Sequence, residues 1–86
     1  MLHTLKIHPE YFAPVKSGAK TFEIRKADRN YKVGDSIMLE EYDPEALKMG
    51  KLGYTGNVCH KRISYVFRGG KHGVSNDYVV LGLTKF

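Results

Sequence analysis

The clearest chemical signal in this sequence comes from three charged residues with strand-like spacing, Lys20, Glu23 and Arg25. They lie within residues 20–26, where charged and apolar residues alternate. Side chains of a strand point to its two faces in turn, so Glu23 and Arg25 share a face about 7 Å apart, at ~3.3 Å of rise per residue. Lysine and arginine bind anions, and glutamate accepts hydrogen bonds or acts as a general base. The spacing therefore predicts a polar site supported by a strand.

The alternation also assigns the two faces of this predicted strand. Phe22 and Ile24 are predicted to join the core, because a half-exposed strand buries its apolar side chains. Four side chains are predicted to contact a ligand: Lys20, Thr21, Glu23 and Arg25. Charged residues on a strand also form structural ion pairs, so a solvated strand face without a ligand is the alternative interpretation.

Element boundaries follow from hydrophobic periodicity and from the positions of proline and glycine. A short helix is predicted over residues 9–18, with Pro14 limiting its length. A loop or a single helical turn is predicted over residues 45–53, and a glycine-rich basic hairpin tip over residues 68–73. Strands are predicted over residues 3–8, 20–26, 36–43, 57–68 and 78–83.

These elements predict a small closed β-barrel in a single domain of residues 1–86, because the chain is too short for two cores. Within residues 57–68, the side chains assigned to the core face are Cys59, Ile63, Tyr65 and Phe67. The apolar run over residues 78–83 predicts a strand that is covered on both faces.

Positive charge is concentrated around the predicted site. The 14 Lys and Arg residues outnumber the nine Asp and Glu residues, which gives a formal net charge of +5 at pH 7. Six of the basic residues lie within residues 16–32, where only Glu23 and Asp28 are acidic. This balance favours polyanionic partners through an electrostatic attraction that needs no sequence readout.

Several classes of protein are not expected from this sequence. No apolar run is long enough for a membrane span and the N-terminal residues lack the features of a secretory signal, so a cytoplasmic protein is predicted. Cys59 is the single cysteine, and no internal disulfide is expected. The four histidines lack the paired spacing of a zinc site and no phosphate-binding loop is present, so neither a metal nor a cofactor is predicted.

The charged motif resembles that of a known domain family. The pattern GxKxxExR of ASCH domains, a branch of the PUA-like superfamily, is matched at Gly18, Lys20, Glu23 and Arg25. The chain as a whole resembles the small ASCH-like domains known as DUF3850, over residues 3–7, 9–12, 20–26, 33–35, 41–44, 54–56 and 78–83. Asn57 departs from the resemblance, since an arginine is more usual there.

The resemblance implies both a fold and a function. The fold is a mainly β, PUA-like pseudobarrel of about five to six strands with one or two short helices and a cleft beside the motif. We expect an RNA-binding module, or a binder of a nucleotide-like ligand. Lys20 and Arg25 would contact phosphate, and Glu23 would accept hydrogen bonds from a base or a sugar hydroxyl. The candidate stacking surfaces, for which core or rim packing is the alternative, are Tyr42, Tyr54 and Tyr65.

Two other functions fit the same residues. A hydrolytic enzyme acting on RNA or a modified nucleoside would use Lys20 and Glu23 as catalytic groups, with Arg25 stabilising developing negative charge. Resemblance to related amidohydrolases implies a nucleophilic threonine at the place that Glu23 occupies here. A protein-interaction domain would instead dock a partner on its exposed edge strands.

Overall fold

The computed structural model describes residues 1–86 and is built mainly from β-strands. In chain order its elements are β1 (Leu2–Ile7), α1 (Pro9–Ser17), β2 (Phe22–Lys26), β3 (Ser36–Tyr42), α2 (Pro44–Lys48), β4 (Tyr54–Arg68) and β5 (Tyr78–Lys85). The predicted mainly β fold of about five to six strands with one or two short helices is confirmed, with five strands and two helices. Neither helix is long enough and apolar enough to cross a membrane.

All five strands form one curled sheet in the order β1-β3-β4-β5-β2. The β1–β3 pair is parallel and the other three pairs are antiparallel. β1 and β2 are the two edges, and the Arg25 Nη2 donates a hydrogen bond to the Lys6 carbonyl oxygen across them, at 2.7 Å. No β-ladder joins these two edges, which are linked by the Arg25 side chain. The sheet is therefore a half-barrel, and the prediction of a closed barrel is corrected. The opening between β1 and β2 is called the seam below.

The inner face of the sheet packs against α1 and forms the core. Pro9 lies in the first turn of α1, where its missing N–H costs nothing, and Phe12 and Val15 of this helix are buried. The core consists of twelve side chains: Leu5, Ile7, Phe12, Val15, Tyr31, Ile37, Leu39, Cys59, Ile63, Val79, Leu81 and Leu83. The outer face of the sheet is the face turned away from this core.

The end of α1 places the start of the charged motif. Gly18 has a left-handed backbone with φ of 90°, and its N–H donates to the Val15 carbonyl oxygen at 3.2 Å. Glycine adopts this conformation without the steric penalty of a side chain, which explains its place in the motif. The Lys20 N–H then donates to the Pro14 carbonyl oxygen at 3.0 Å, so the chain enters β2 in a fixed direction.

The two faces of β2 are opposite to those predicted. Phe22 and Ile24 are 43% and 55% exposed, whereas Glu23 is only 4% exposed. The cause is the register with β5, in which Glu23 lies beside the buried Leu81 and Phe22 beside Gly82. Paired residues of neighbouring strands share a face, so Glu23 and Arg25 point inward towards the seam, whereas Lys26 shares the outward face of Phe22 and Ile24.

A β-bulge corrects a second prediction, the placement of Tyr65 and Phe67 on the core face; Phe67 pairs with Val80 on the opposite face of the sheet. The register of β4 against β5 shifts between Ile63 and Tyr65, opposite Gly82. Cys59 and Ile63 are buried as predicted, but beyond the bulge the alternation reverses, so Tyr65 is exposed and half-buried Val66 packs on the core. A Cβ at Gly82 would lie within 3.2 Å of Tyr65 Cβ, so glycine leaves room for the bulge.

Candidate ligand-binding site

Glu23 is the centre of a buried ion-pair triad. Its Oε1 accepts from Lys20 Nζ at 2.5 Å, and its Oε2 lies 3.0 Å from Arg25 Nε and 2.8 Å from Arg25 Nη2. The Glu23 side chain is 5% exposed, and those of Lys20 and Arg25 are about one-fifth exposed. Both carboxylate oxygens are therefore occupied, and the triad keeps one net positive charge.

Lys20 is held on the outer side of this triad. Its ammonium lies 4.9 Å from the centre of the Tyr11 ring and 5.0 Å from that of Phe22, at distances typical of cation–π contacts. A small pocket is formed by these three residues together with Glu23 and Ile24. Lys20 thus faces this pocket, with its charge partly neutralised by Glu23.

Arg25 lines a different and larger opening at the seam. Its Nε and Nη2 are fixed by Glu23 and by the Lys6 carbonyl oxygen, while Nη1 makes no hydrogen bond. A guanidinium held on one edge in this way keeps further donors in a fixed plane. Arg25 is therefore preorganised to donate hydrogen bonds to an anion in the opening.

The opening, called the seam cleft below, has a volume of about 420 Å³. Small-molecule sites in proteins commonly measure about 300–1,000 Å³, so the seam cleft is large enough for a nucleotide-sized ligand. Four of its side chains are basic and two are acidic, which leaves an excess of two positive charges. The lining residues are Thr4, Leu5, Lys6, Arg25, Lys26, Asp28, Arg29, Tyr31, Glu40 and Tyr54.

Two tyrosines form one wall beside the seam cleft. Tyr42 and Tyr54 meet edge to face with ring centres 5.0 Å apart, and the Lys6 ammonium lies 4.4 Å from the centre of the Tyr42 ring. Tyr54 is 47% exposed and lines the cleft, whereas Tyr42 is half-buried. Gly53 leaves room for Tyr42, because a Cβ there would overlap its ring. Of the three predicted stacking residues, Tyr54 is therefore the one placed at the cleft.

Tyr31 was not predicted as a core residue, because it lies between the predicted strands over residues 20–26 and 36–43. The side chain is 1% exposed, its ring centre lies 4.7 Å from that of His3, and its carbonyl oxygen accepts from Arg68 Nη2 at 3.2 Å. Burial raises the pKa of Tyr31, although the nearby guanidinium of Arg29 acts to lower it. The available signal was an aromatic residue in an otherwise polar segment.

A buried His3–Asp35 pair fixes the other end of that segment. His3 Nε2 lies 2.8 Å from Asp35 Oδ2, which also accepts the Lys32 N–H at 3.1 Å. The hydrogen bond from His3 is the main cause of an Asp35 pKa below its usual 3.8, and burial opposes it. Asp35, to which the sequence assigned no role, anchors the loop that brings Arg29 to the seam cleft.

The four predicted ligand-binding residues are thus divided. Lys20, Glu23 and Arg25 are brought together, but only Arg25 lines the seam cleft. Thr21 precedes β2, is exposed and lines neither the cleft nor the small pocket, while its carbonyl oxygen accepts from the Leu83 N–H at 2.8 Å. The structure brings three or more His, Cys, Asp or Glu side chains together nowhere in a metal-binding arrangement.

Comparison with known families places the chain. A family model described as "Domain of unknown function (DUF3850)" matches residues 2–83. The chain belongs to the DUF3850 family. The resemblance to DUF3850 seen in the sequence is therefore confirmed, and the triad and the seam cleft both lie within the matched region.

A phage protein shares part of this DUF3850 domain. The "Uncharacterized 12.9 kDa protein in GpA 3'region" of Escherichia phage P2 is 46% identical to it over 41 residues. The match covers 48% of this chain and 38% of the phage protein, so the chain spans well under half of that relative.

Proposed function

We propose that this DUF3850 protein binds RNA or a nucleotide-like ligand in the seam cleft. The observation that carries the proposal is the lining of the cleft, where Lys6, Arg25, Lys26 and Arg29 meet the exposed ring of Tyr54. Cations beside an aromatic ring match the two parts of a nucleotide, its phosphate and its base. We further propose an ASCH-type, PUA-like domain, supported by the GxKxxExR pattern and the half-barrel.

Different residues of the cleft would contact different parts of the ligand. Arg25, fixed on one edge by Glu23 and Lys6, would contact phosphate with its remaining donors. Arg29 and Lys26 would add charge at the rim, and Tyr54 would stack on a base. Glu23 takes the role of a positioning residue for Arg25, in place of the direct ligand contact expected from the sequence.

Thr4 and Glu40 offer the hydrogen-bonding groups that a base or a ribose requires. Both line the cleft, and the hydrogen bonds from Thr55 and Asn57 go to the neighbouring Glu41, so neither the Thr4 nor the Glu40 side chain is engaged within the protein. Glu40 can accept from a sugar hydroxyl or an exocyclic amine. We place this activity in the cytoplasm, where RNA is available and the buried thiol of Cys59 stays reduced.

The hydrolytic and protein-docking alternatives are less well supported than binding. A general base needs a free oxygen within reach of the proton that it abstracts, whereas both Glu23 oxygens are held by Lys20 and Arg25. Protein docking on the edge strands would have to use the seam, which Arg25 bridges. The protein-docking alternative also makes no use of the excess of cations in the cleft.

The test is fluorescence anisotropy with a labelled single-stranded RNA at fixed salt. The double variant Lys6→Ala, Arg29→Ala removes two cleft cations outside the buried triad. Its matched control is Lys48→Ala, Lys51→Ala, which removes the same charge from exposed sites that do not line the cleft.

We expect the cleft variant to bind the RNA at least about tenfold more weakly. The slope of log affinity against log salt concentration should become shallower by an amount that corresponds to more than one phosphate contact. The control should stay within about threefold of the wild type, because only its net charge changes. Equal losses in the two variants would mean non-specific attraction to a basic protein and would overturn the cleft as the site.

A further inference from the structure

The outer face of β2, β5 and the second half of β4 carries an exposed aromatic surface. The strand register places its members side by side, with Phe22 and Tyr65 flanking Gly82, Ile24 and Phe67 flanking Val80, and Lys26 beside Tyr78. Exposure is 43% for Phe22, 55% for Ile24, 64% for Tyr65 and 40% for Tyr78. This outer aromatic face consists of Phe22, Ile24, Tyr65, Phe67, Tyr78 and Val80, of which Phe67 and Val80 are half-buried.

Charge on this face has one sign. The outward positions of β2, β5 and residues 64–68 of β4 include Lys26 and no carboxylate. Two further ammonium groups lie over its rings, Lys20 at 5.0 Å from Phe22 and Lys71 at 6.0 Å from Phe67. Carboxylates lie at its margin: Glu23, which pairs with Lys20 beside Phe22, and Asp77, which lines a pocket with Lys26 and Tyr78. The rings and cations of the strand positions themselves are complementary to a polyanion that carries aromatic bases.

The outer aromatic face is continuous with the seam cleft through one residue. Lys26 lines the cleft and also pairs in register with Tyr78 on the outer face. From Phe22 to Lys26 the strand extends about 13 Å, at ~3.3 Å per residue. A strand of nucleic acid leaving the cleft past Lys26 would therefore meet Tyr78 first and then Phe67 and Tyr65.

We infer that the outer aromatic face is a stacking platform for single-stranded RNA that continues from the seam cleft. The inference rests on the proposed function of that cleft. Tyr78, Phe67 and Tyr65 supply ring faces for successive bases, and Lys26 and Lys71 neutralise phosphates between them. Paired bases cannot stack on side chains, so the platform selects single strands over duplexes.

The experiment compares two lengths of single-stranded RNA, four and twelve nucleotides, by fluorescence anisotropy. The platform variant is Tyr65→Thr, Tyr78→Thr, which replaces two exposed rings by β-branched residues suited to strands. The matched control, Tyr65→Phe, Tyr78→Phe, keeps both rings and removes only the hydroxyl groups. The cleft variant Lys6→Ala, Arg29→Ala is measured in parallel, and circular dichroism checks that every variant is folded.

We expect the platform variant to lose at least tenfold in affinity for the twelve-nucleotide strand, since stacking on each lost ring is worth roughly fivefold or more. Its affinity for the four-nucleotide strand and for a twelve-base-pair duplex should stay within about twofold of wild type. The Phe control should bind both strands like wild type. The cleft variant should weaken both lengths.

Other outcomes separate the two proposals. An unchanged twelve-nucleotide affinity in the platform variant would overturn the platform and leave the cleft standing. If the platform variant loses affinity for the twelve-nucleotide strand and the cleft variant does not, the platform is supported and the cleft is overturned. If the wild type sediments as a dimer and the platform variant as a monomer, the face is a self-association surface and the platform is overturned. If the wild type binds neither length of RNA, both proposals are overturned.

Discussion

The two faces of β2 differ in how their side chains are held. On the inner face, Glu23 and Arg25 are fixed by ion pairs, by the Lys6 carbonyl oxygen and by burial beside Leu81. On the outer face, Phe22 and Ile24 are exposed and no ion pair or hydrogen bond restrains them. The inner face therefore offers a preorganised contact, and the outer face offers an adaptable apolar surface.

Burial of charge should make the inner face far more sensitive to substitution than the outer one. Glu23→Ala leaves Lys20 and Arg25 partly buried without their anion, so we expect the free energy of unfolding to fall by about 2–4 kcal/mol. Urea denaturation followed by circular dichroism measures this loss. A decrease smaller than about 0.5 kcal/mol would show that the three charged side chains are solvated in the folded protein.

Arg25→Lys tests whether the fork shape of the guanidinium matters at the seam. A lysine keeps the charge but cannot donate hydrogen bonds to Glu23 and to the Lys6 carbonyl oxygen at the same time. We therefore expect the free energy of unfolding to fall by about 1–2 kcal/mol. Hydrogen exchange should become faster in β1 and β2 and remain unchanged in β4. If exchange is unchanged at both edges, Arg25 does not close the seam.

Asp35→Asn extends the comparison to the other charged pair of the inner side. Because the folded pKa of Asp35 is lowered, its stabilisation is present above pH 3.8 and is lost as the pH falls through the folded pKa. We expect the variant to be about 1 kcal/mol less stable at pH 7 and to lose less stability than wild type on acidification below pH 4. Parallel acid-unfolding curves would contradict the assigned role of Asp35.

Ile24→Thr on the outer face should have the smallest effect. Its side chain is 55% exposed, and threonine suits a strand as well as isoleucine does, so the free energy of unfolding should change by less than about 0.5 kcal/mol. The same urea titration used for Glu23→Ala provides the direct comparison. A loss as large as that of Glu23→Ala would mean that Ile24 is covered in solution.

Most of the fold could be predicted from the sequence because local signals agree with it. Alternation in β1 and β3, Pro9 at the start of α1 and Gly18 at its end each indicate the observed element. The charged motif also names Lys20, Glu23 and Arg25, which the structure brings together in ion pairs, while their contact with a ligand stays a prediction. Membership of DUF3850, predicted from the resemblance, is confirmed.

What could not be predicted depends on register between strands distant in sequence. The face of β2 is set by its pairing with β5, more than fifty residues away, and the hydrophobic pattern alone gives the opposite answer. The same holds for Tyr65, because the bulge opposite Gly82 reverses the alternation of β4. Tyr31 and Asp35 were missed because their burial depends on contacts with His3, in another element.

The most direct test of the central claim is titration of the ¹⁵N-labelled protein with the four-nucleotide single-stranded RNA, followed by NMR. Binding in the seam cleft predicts saturable shifts of the backbone amides of Lys6, Lys26, Arg29 and Tyr54, with those of α2 unchanged. The Lys6→Ala, Arg29→Ala variant should show these shifts only at much higher RNA concentration. Shifts that spare the cleft amides, or that follow charge over the whole surface without saturating, would contradict a nucleotide site at the seam.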